Sequence, residues 1–129
     1  MKRLILIILA LFGLTACAQD KKQEQENQYV SITMEEAAEL MGSEEKHIIL
    51  DVREQYEYDA GHIPGAILIP NGQISQRAEQ ELPDKDQLIL GYCRSGRRSK
   101  EAAQKLADMG YTNIKEFGGI IDWPYEIEK

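Results

Sequence analysis

Cysteine is scarce in this chain. Of 129 residues only Cys17 and Cys93 carry a thiol, too few for the disulfide framework that staples many small exported domains. Long apolar runs are scarce as well: Leu4 to Leu14 falls short of the about 20 residues that a mature membrane-spanning helix needs. Positive charge is under-represented, with 15 Lys and Arg against 22 Asp and Glu and a net charge of −7, which argues against a general nucleic-acid binder. No internal repeat is visible. Histidine occurs twice, and neither a metal nor a cofactor is expected.

The first segment does not read as part of a fold. Lys2 and Arg3 precede the apolar run, which closes with Leu14-Thr15-Ala16-Cys17, an order of features that resembles the lipobox of bacterial lipoproteins. Residues 1–16 are expected to be a cleaved signal peptide, with Cys17 lipidated as the new N-terminus. The competing readings are an ordinary signal cut near Ala16 or Ala18, or a short uncleaved anchor. Losing Lys2 and Arg3 moves the formal charge from −7 to −9. Residues 17–28 are then a polar tether with too few apolar side chains to fold alone, holding a domain roughly 20 Å from the membrane. The expected placement is an exported, membrane-anchored lipoprotein facing the periplasm or the cell surface.

From Tyr29 onward, short apolar runs alternate with amphipathic segments, the pattern of a mostly parallel sheet covered on both faces by helices. Strands are predicted at 29–32, 47–52, 66–69, 87–92 and 114–117. Thr33 and Glu36 have the spacing of a capping box opening a helix through Met41, which Gly42 ends. Further helices are predicted at 54–58, 73–80 and 99–109, the last placing Ala102, Leu106 and Met109 on one face. Residues 29–129 suffice for one such domain.

Cys93 stands where one of these strands stops, followed by Arg94, Ser95, Gly96, Arg97, Arg98 and Ser99 at the start of a helix. Free N–H groups at a helix start and nearby guanidinium groups both favour a thiolate, so a lowered pKa and raised nucleophilicity are expected. A buried structural cysteine is the alternative, against which three arginines in the next five residues weigh. A lipidated Cys17 would leave Cys93 with no disulfide partner in the chain. Ligands of open α/β sheets bind beyond the carboxyl ends of the strands, where Asp51, Arg53 and Glu54 also fall.

Three segments carry a family resemblance: Leu50-Asp51-Val52-Arg53-Glu54 with Glu57-Tyr58 and Gly61-His62-Ile63-Pro64-Gly65-Ala66; Tyr92-Cys93-Arg94-Ser95-Gly96-Arg97-Arg98-Ser99; and Gly118-Gly119 with Trp123. In this order they are similar to the signatures of the single-domain rhodaneses, or sulfurtransferases. The resemblance implies a rhodanese-like three-layer domain over 29–129 and transfer of sulfane sulfur through a persulfide on Cys93. The donor would be thiosulfate or another small anionic sulfur compound, and the acceptor cyanide, a thiol or a protein. Backbone N–H groups of residues 94–99 would cradle the terminal sulfur. Arg94 and Arg97 would meet the anion, and Arg98 would organise the loop by pairing with an acid such as Asp51 or Glu54. Asp51 and Arg53 are expected to tie the first signature to the loop. His62 reads as a hydrogen-bonded turn residue rather than a base, His47 shows no sign of a role, and Trp123 reads as packing.

Two other functions compete. Cysteine phosphatases, with arsenate reductases beside them, follow Cys-x5-Arg; here the sixth residue after Cys93 is Ser99 and Arg98 is the fifth, so the loop is one residue short. A membrane-tethered binding or sulfur-relay module could keep the fold without free turnover, although a docking surface has no need of an oxidisable thiol.

Overall fold

The computed structural model describes residues 28–129. The expected signal peptide, Cys17 and nearly all of the tether lie outside the described residues. Strands β1 (Val30–Ser31), β2 (His47–Asp51), β3 (Ile67–Leu68), β4 (Leu88–Cys93) and β5 (Ile114–Gly119) alternate with helices α1 (Met34–Met41), α2 (Gln55–Ala60), α3 (Ile74–Glu81) and α4 (Arg97–Asp108). The five strands form one sheet in the order β1-β5-β4-β2-β3, with every pairing parallel.

Alternation along β4 explains the layers. Ile89 and Cys93 point to one face, where Ala102, Ala103, Leu106 and Ala107 of α4 pack beside Ile74 and Ala78 of α3. Leu88, Leu90 and Tyr92 point to the other, where they meet Ala37 of α1, Ile63, Phe117 and the partly buried Tyr58 and Trp123. Both faces being covered, all six residues of β4 are buried and read as an unbroken apolar run. This is the expected three-layer α/β architecture.

Local chemistry sets the boundaries. Thr33 Oγ1 accepts from the Glu36 N–H at 3.0 Å while Glu36 Oε1 accepts from the Thr33 N–H at 2.9 Å, the reciprocal cap read from the spacing. Several predicted ends shift. The third strand shrinks to Ile67–Leu68, α2 runs from Gln55 to Ala60, and α4 begins at Arg97 rather than at Ser99. The last shift follows from Gly96, whose φ of 112° turns the chain into the helix directly. A one-turn 3-10 helix at Asn71–Gln73 precedes α3, and another at Ile120–Asp122 follows β5.

Pairing of β4 with β5 is regular up to Gly91↔Glu116 and then slips, so that Cys93 stands opposite Gly119. Two steps along β4 thus face three along β5, a bulge at the carboxyl end of the sheet. It seats Gly119 beneath the segment that follows Cys93.

Candidate active site

Cys93 ends the central strand, and the next residues curl over its sulfur. Sγ accepts from the Gly96 N–H at 3.0 Å and lies 3.6 Å from Ser99 Oγ. The residue is only 1% exposed, which the three neighbouring arginines had argued against. Both facts hold because the loop turns its N–H groups inward and its arginine side chains outward. Burial pushes the Cys93 thiol up, but hydrogen bonds around the sulfur, those of the Ser99, Gly96 and Ser95 N–H groups among them, outweigh it, and the thiol lies below its ordinary value. An inert core cysteine lacks such a ring of donors.

Two glycines make the loop possible. Gly96 occupies the left-handed region, which a side chain there would strain. Gly119 has extended backbone, but a Cβ on it would overlap the Arg94 carbonyl and the Ser95 nitrogen. Gly119, the last residue of β5, therefore serves close approach of two backbones.

The three arginines have different surroundings. Arg98 makes a two-pronged pair with Glu57, with N–O distances of 2.8 and 3.0 Å. Its expected partners, Asp51 and Glu54, are corrected to Glu57: this side chain comes one turn into α2 and faces α4, while Asp51 is already occupied and Glu54 is exposed. Glu57 Oε1 also accepts from the Glu54 N–H at 2.9 Å, so one carboxylate caps α2 and holds the loop. Mainly the Arg98 hydrogen bonds hold it down at about 2, against a smaller opposing effect of burial. The charge of Arg98 is in turn held by Glu57 and also favoured by Cys93. Arg97 is 74% exposed on its side chain and pairs with Glu101 at 3.1 Å. Arg94 is exposed and makes no ion pair among the described residues.

Arg94, Ser95, Arg97 and Arg98 line a cleft of about 560 Å³ with Glu57 and Tyr56, a tyrosine 74% exposed. A larger apolar groove of about 800 Å³ shares none of these residues; it lies against Met41, Ile49, Ile63, Ile67 and Trp123. The smaller cleft is the chemical candidate, because its wall is the loop that holds the thiol and its side chains carry positive charge.

Asp51 and Arg53 do not reach that loop. Arg53 forks onto Asp51 at 2.8 to 3.1 Å and donates to the Gly61 carbonyl at 2.7 Å. The Tyr92 hydroxyl donates to Asp51 at 2.7 Å and accepts from the Ile63 N–H at 3.0 Å. Burial, and after it the Asp51 charge and hydrogen bond, push the Tyr92 phenol well up. The expected link to the loop is thus corrected to a link to β4 through Tyr92, one residue before the thiol. Glu54 opens α2 with its carbonyl accepting from the Glu57 and Tyr58 N–H groups. His62 is a turn residue: Nδ1 lies 2.9 Å from the Tyr58 carbonyl, and the ring stacks on Tyr58 with centroids 3.8 Å apart. Trp123 packs on Phe117 and Tyr125, with centroids 5.5 and 4.9 Å away.

Glu116 lies outside the three sequence signatures. It is 1% exposed, and its carboxylate accepts from Ser99 Oγ at 2.7 Å. The available signal was its spacing, since Ile114 and Glu116 share one strand face by the two-residue period. The Glu57 signal was weaker, being only its place within the first signature. Nothing marked Tyr56.

A model of the family described as "Rhodanese-like domain" matches residues 33–124. The chain belongs to this family. Its rhodanese domain is 38% identical over 73 residues to the thiosulfate sulfurtransferase PspE of Escherichia coli, covering 57% of this chain and 70% of that protein. Identity is 35% over 96 residues to the adenylyltransferase and sulfurtransferase UBA4 of Candida albicans, covering 69% of this chain but only 22% of that longer protein. The solved structure "rhodanese with anions from E. coli" superposes with a TM-score of 0.61 at 34% identity, over 65% of this chain and 99% of that one. The rhodanese fold and a kinship with sulfurtransferases follow.

Proposed function

We propose that this rhodanese domain is a sulfurtransferase that carries sulfane sulfur as a persulfide on Cys93. The observation that carries the reading is a thiol below its ordinary pKa, held by inward N–H groups behind a cleft walled by arginines. The Cys93 thiolate attacks the outer sulfur of thiosulfate or of a persulfide donor. With thiosulfate the S–S bond breaks, sulfite leaves with the bonding electron pair, and Cys93 keeps one added sulfur. Cyanide or a thiol then attacks that outer sulfur, departs as thiocyanate or a new persulfide, and the Cys93 thiolate returns. Arg94 offers the freest charge for an anionic donor, and Arg98 with Glu57 holds the loop in shape. No metal or cofactor enters these steps.

The test is intact-protein mass spectrometry of residues 28–129 with and without thiosulfate, beside an assay for thiocyanate. One cyanide-releasable sulfur, absent in a folded Cys93→Ser variant, is the expected result. Loading without turnover would favour a relay that hands sulfur to one dedicated protein. No loading would favour a binding module, and phosphate release from an aryl phosphate would favour a phosphatase.

We infer further that the domain is exported and anchored through a lipidated Cys17, a reading supported by Leu14-Thr15-Ala16-Cys17 after a basic start and an apolar run. Labelling with a fatty-acid analogue is expected in the full chain and lost in Cys17→Ala; unchanged labelling would remove Cys17 as the site.

A further inference from the structure

Glu116 is a carboxylate behind the loop, and its partners are all donors. Oε1 accepts from Ser99 Oγ at 2.7 Å and from the Gly118 N–H at 2.9 Å. Oε2 accepts from Ser31 Oγ of β1 at 2.7 Å, with Lys100 Nζ of α4 at 3.6 Å. Among the described residues no guanidinium pairs with it, and the Lys100 side chain is half exposed.

Among the described residues Ser99 has four acceptors within reach, and it has one hydroxyl proton to give. Besides Glu116 at 2.7 Å these are the Gly96 carbonyl at 3.0 Å, the Gly118 carbonyl at 3.4 Å and Cys93 Sγ at 3.6 Å. A carboxylate at the shortest of these distances makes the strongest bond. The hydroxyl proton then points to Glu116, and an oxygen lone pair faces the sulfur. A neutral thiol can donate to that lone pair, whereas a thiolate gains nothing from it. Any help that Ser99 Oγ gives the thiolate is therefore conditional on the proton leaving Glu116.

We propose that Glu116 is a positioning residue for Cys93 that acts through Ser99, holding the hydroxyl proton away from the sulfur. The thiolate is left to the backbone N–H groups of the loop, and a thiolate with one hydrogen bond fewer is the stronger nucleophile. This deepens the sulfur-transfer reading and rests on it for its purpose, but the geometry concerns the thiol alone. Besides Glu116, the charged groups among the described residues that face this thiol and carboxylate are Lys100 and Arg98, the latter neutralised by Glu57 of α2.

The experiment is the pH profile of Cys93 alkylation by iodoacetamide in the folded domain, a readout independent of sulfur transfer. Glu116→Gln retains the shape and can keep its amide oxygen toward Gly118, but it competes weakly for the Ser99 proton. Its alkylation midpoint is expected about one pH unit lower than that of the wild type. With Ser99→Ala already present, the same substitution is expected to move the midpoint by less than about 0.3 unit, because the relay is gone. An unchanged midpoint in folded Glu116→Gln overturns the proposal, as does an equal shift with and without Ser99. Ser99→Ala alone gives a second sign. Its midpoint is expected unchanged or lower, and a rise overturns the proposal, since it would mean that the hydroxyl had been donating to the thiolate. That sign decides the matter should Glu116→Gln fail to fold. If sulfur loading fails while these midpoints behave as expected, the transfer reading falls and the Glu116 assignment stands.

Discussion

Asp51, at the carboxyl end of β2, and Glu116, within β5, are both buried carboxylates, yet their surroundings differ. Asp51 is fully buried and bound by the Arg53 guanidinium, the Arg53 N–H and the Tyr92 hydroxyl. Its charge is cancelled at contact, and its partner is anchored again on the Gly61 carbonyl. Glu116 has two hydroxyls, one N–H and a distant ammonium. A guanidinium fork leaves one arrangement, whereas a hydroxyl can re-aim its proton without moving a heavy atom. The Asp51 side therefore holds the sheet, and the Glu116 side adjusts the chemistry.

Arg53→Met is expected to have the largest effect. Removing the guanidinium strands the Asp51 charge, at an expected cost of about 3–5 kcal/mol in urea unfolding. The alkylation midpoint of the remaining folded protein should stay put. A large change in midpoint with little loss of stability would reverse the two roles.

Gly119→Ala strikes the other side. Its Cβ meets backbone of the Cys93 loop, so the segment must shift, at about 1–3 kcal/mol. Cys93 alkylation at neutral pH should slow by at least about tenfold as the N–H ring opens. An unaltered rate would show that the loop does not depend on the close approach.

Glu57→Gln tests the tie between the regions, because Glu57 follows the Asp51 segment and holds Arg98 of the Cys93 segment. The expected loss at neutral pH is about 1–2 kcal/mol. The folded value of about 2 lies below the ordinary 4.5, so the wild-type contribution is full above 4.5 and lost as pH falls towards 2. Urea titrations at stepped pH should show that slope weakened in the variant. Equal slopes would remove the pair from the stability of the domain.

The smallest effects are expected in the cleft. Arg94→Ala should raise the half-saturating thiosulfate concentration about three- to tenfold, and Arg97→Ala by less, because Glu101 already shares the Arg97 charge. Equal effects in a steady-state assay would remove Arg94 from anion binding.

Much of the fold was legible along the chain. Apolar runs such as Ile48–Leu50 and Leu88–Tyr92 mark buried parallel strands by their length and lack of polar interruption. Thr33 with Glu36 marks a helix start, because a cap closes within four residues. The position of Cys93 between an apolar run and a helix start is equally local. Less legible were Arg98's choice of Glu57 and the burial of Glu116. The first depends on how α2 and α4 face one another, the second on β1, β5 and α4 meeting around one side chain.

The sequence by itself determined that a thiol would end a buried strand and open a helix, since apolar periodicity, glycine and caps act over a few residues. Only the tertiary structure decided which acids answer that thiol. Asp51 was drawn into a fork with Arg53, Glu57 was given to Arg98, and Glu116 was brought to Ser99, 17 residues away in the chain. Hydrogen bonds and ion pairs depend on distances of a few ångströms, and for residues far apart in the chain those distances exist only once the layers have packed.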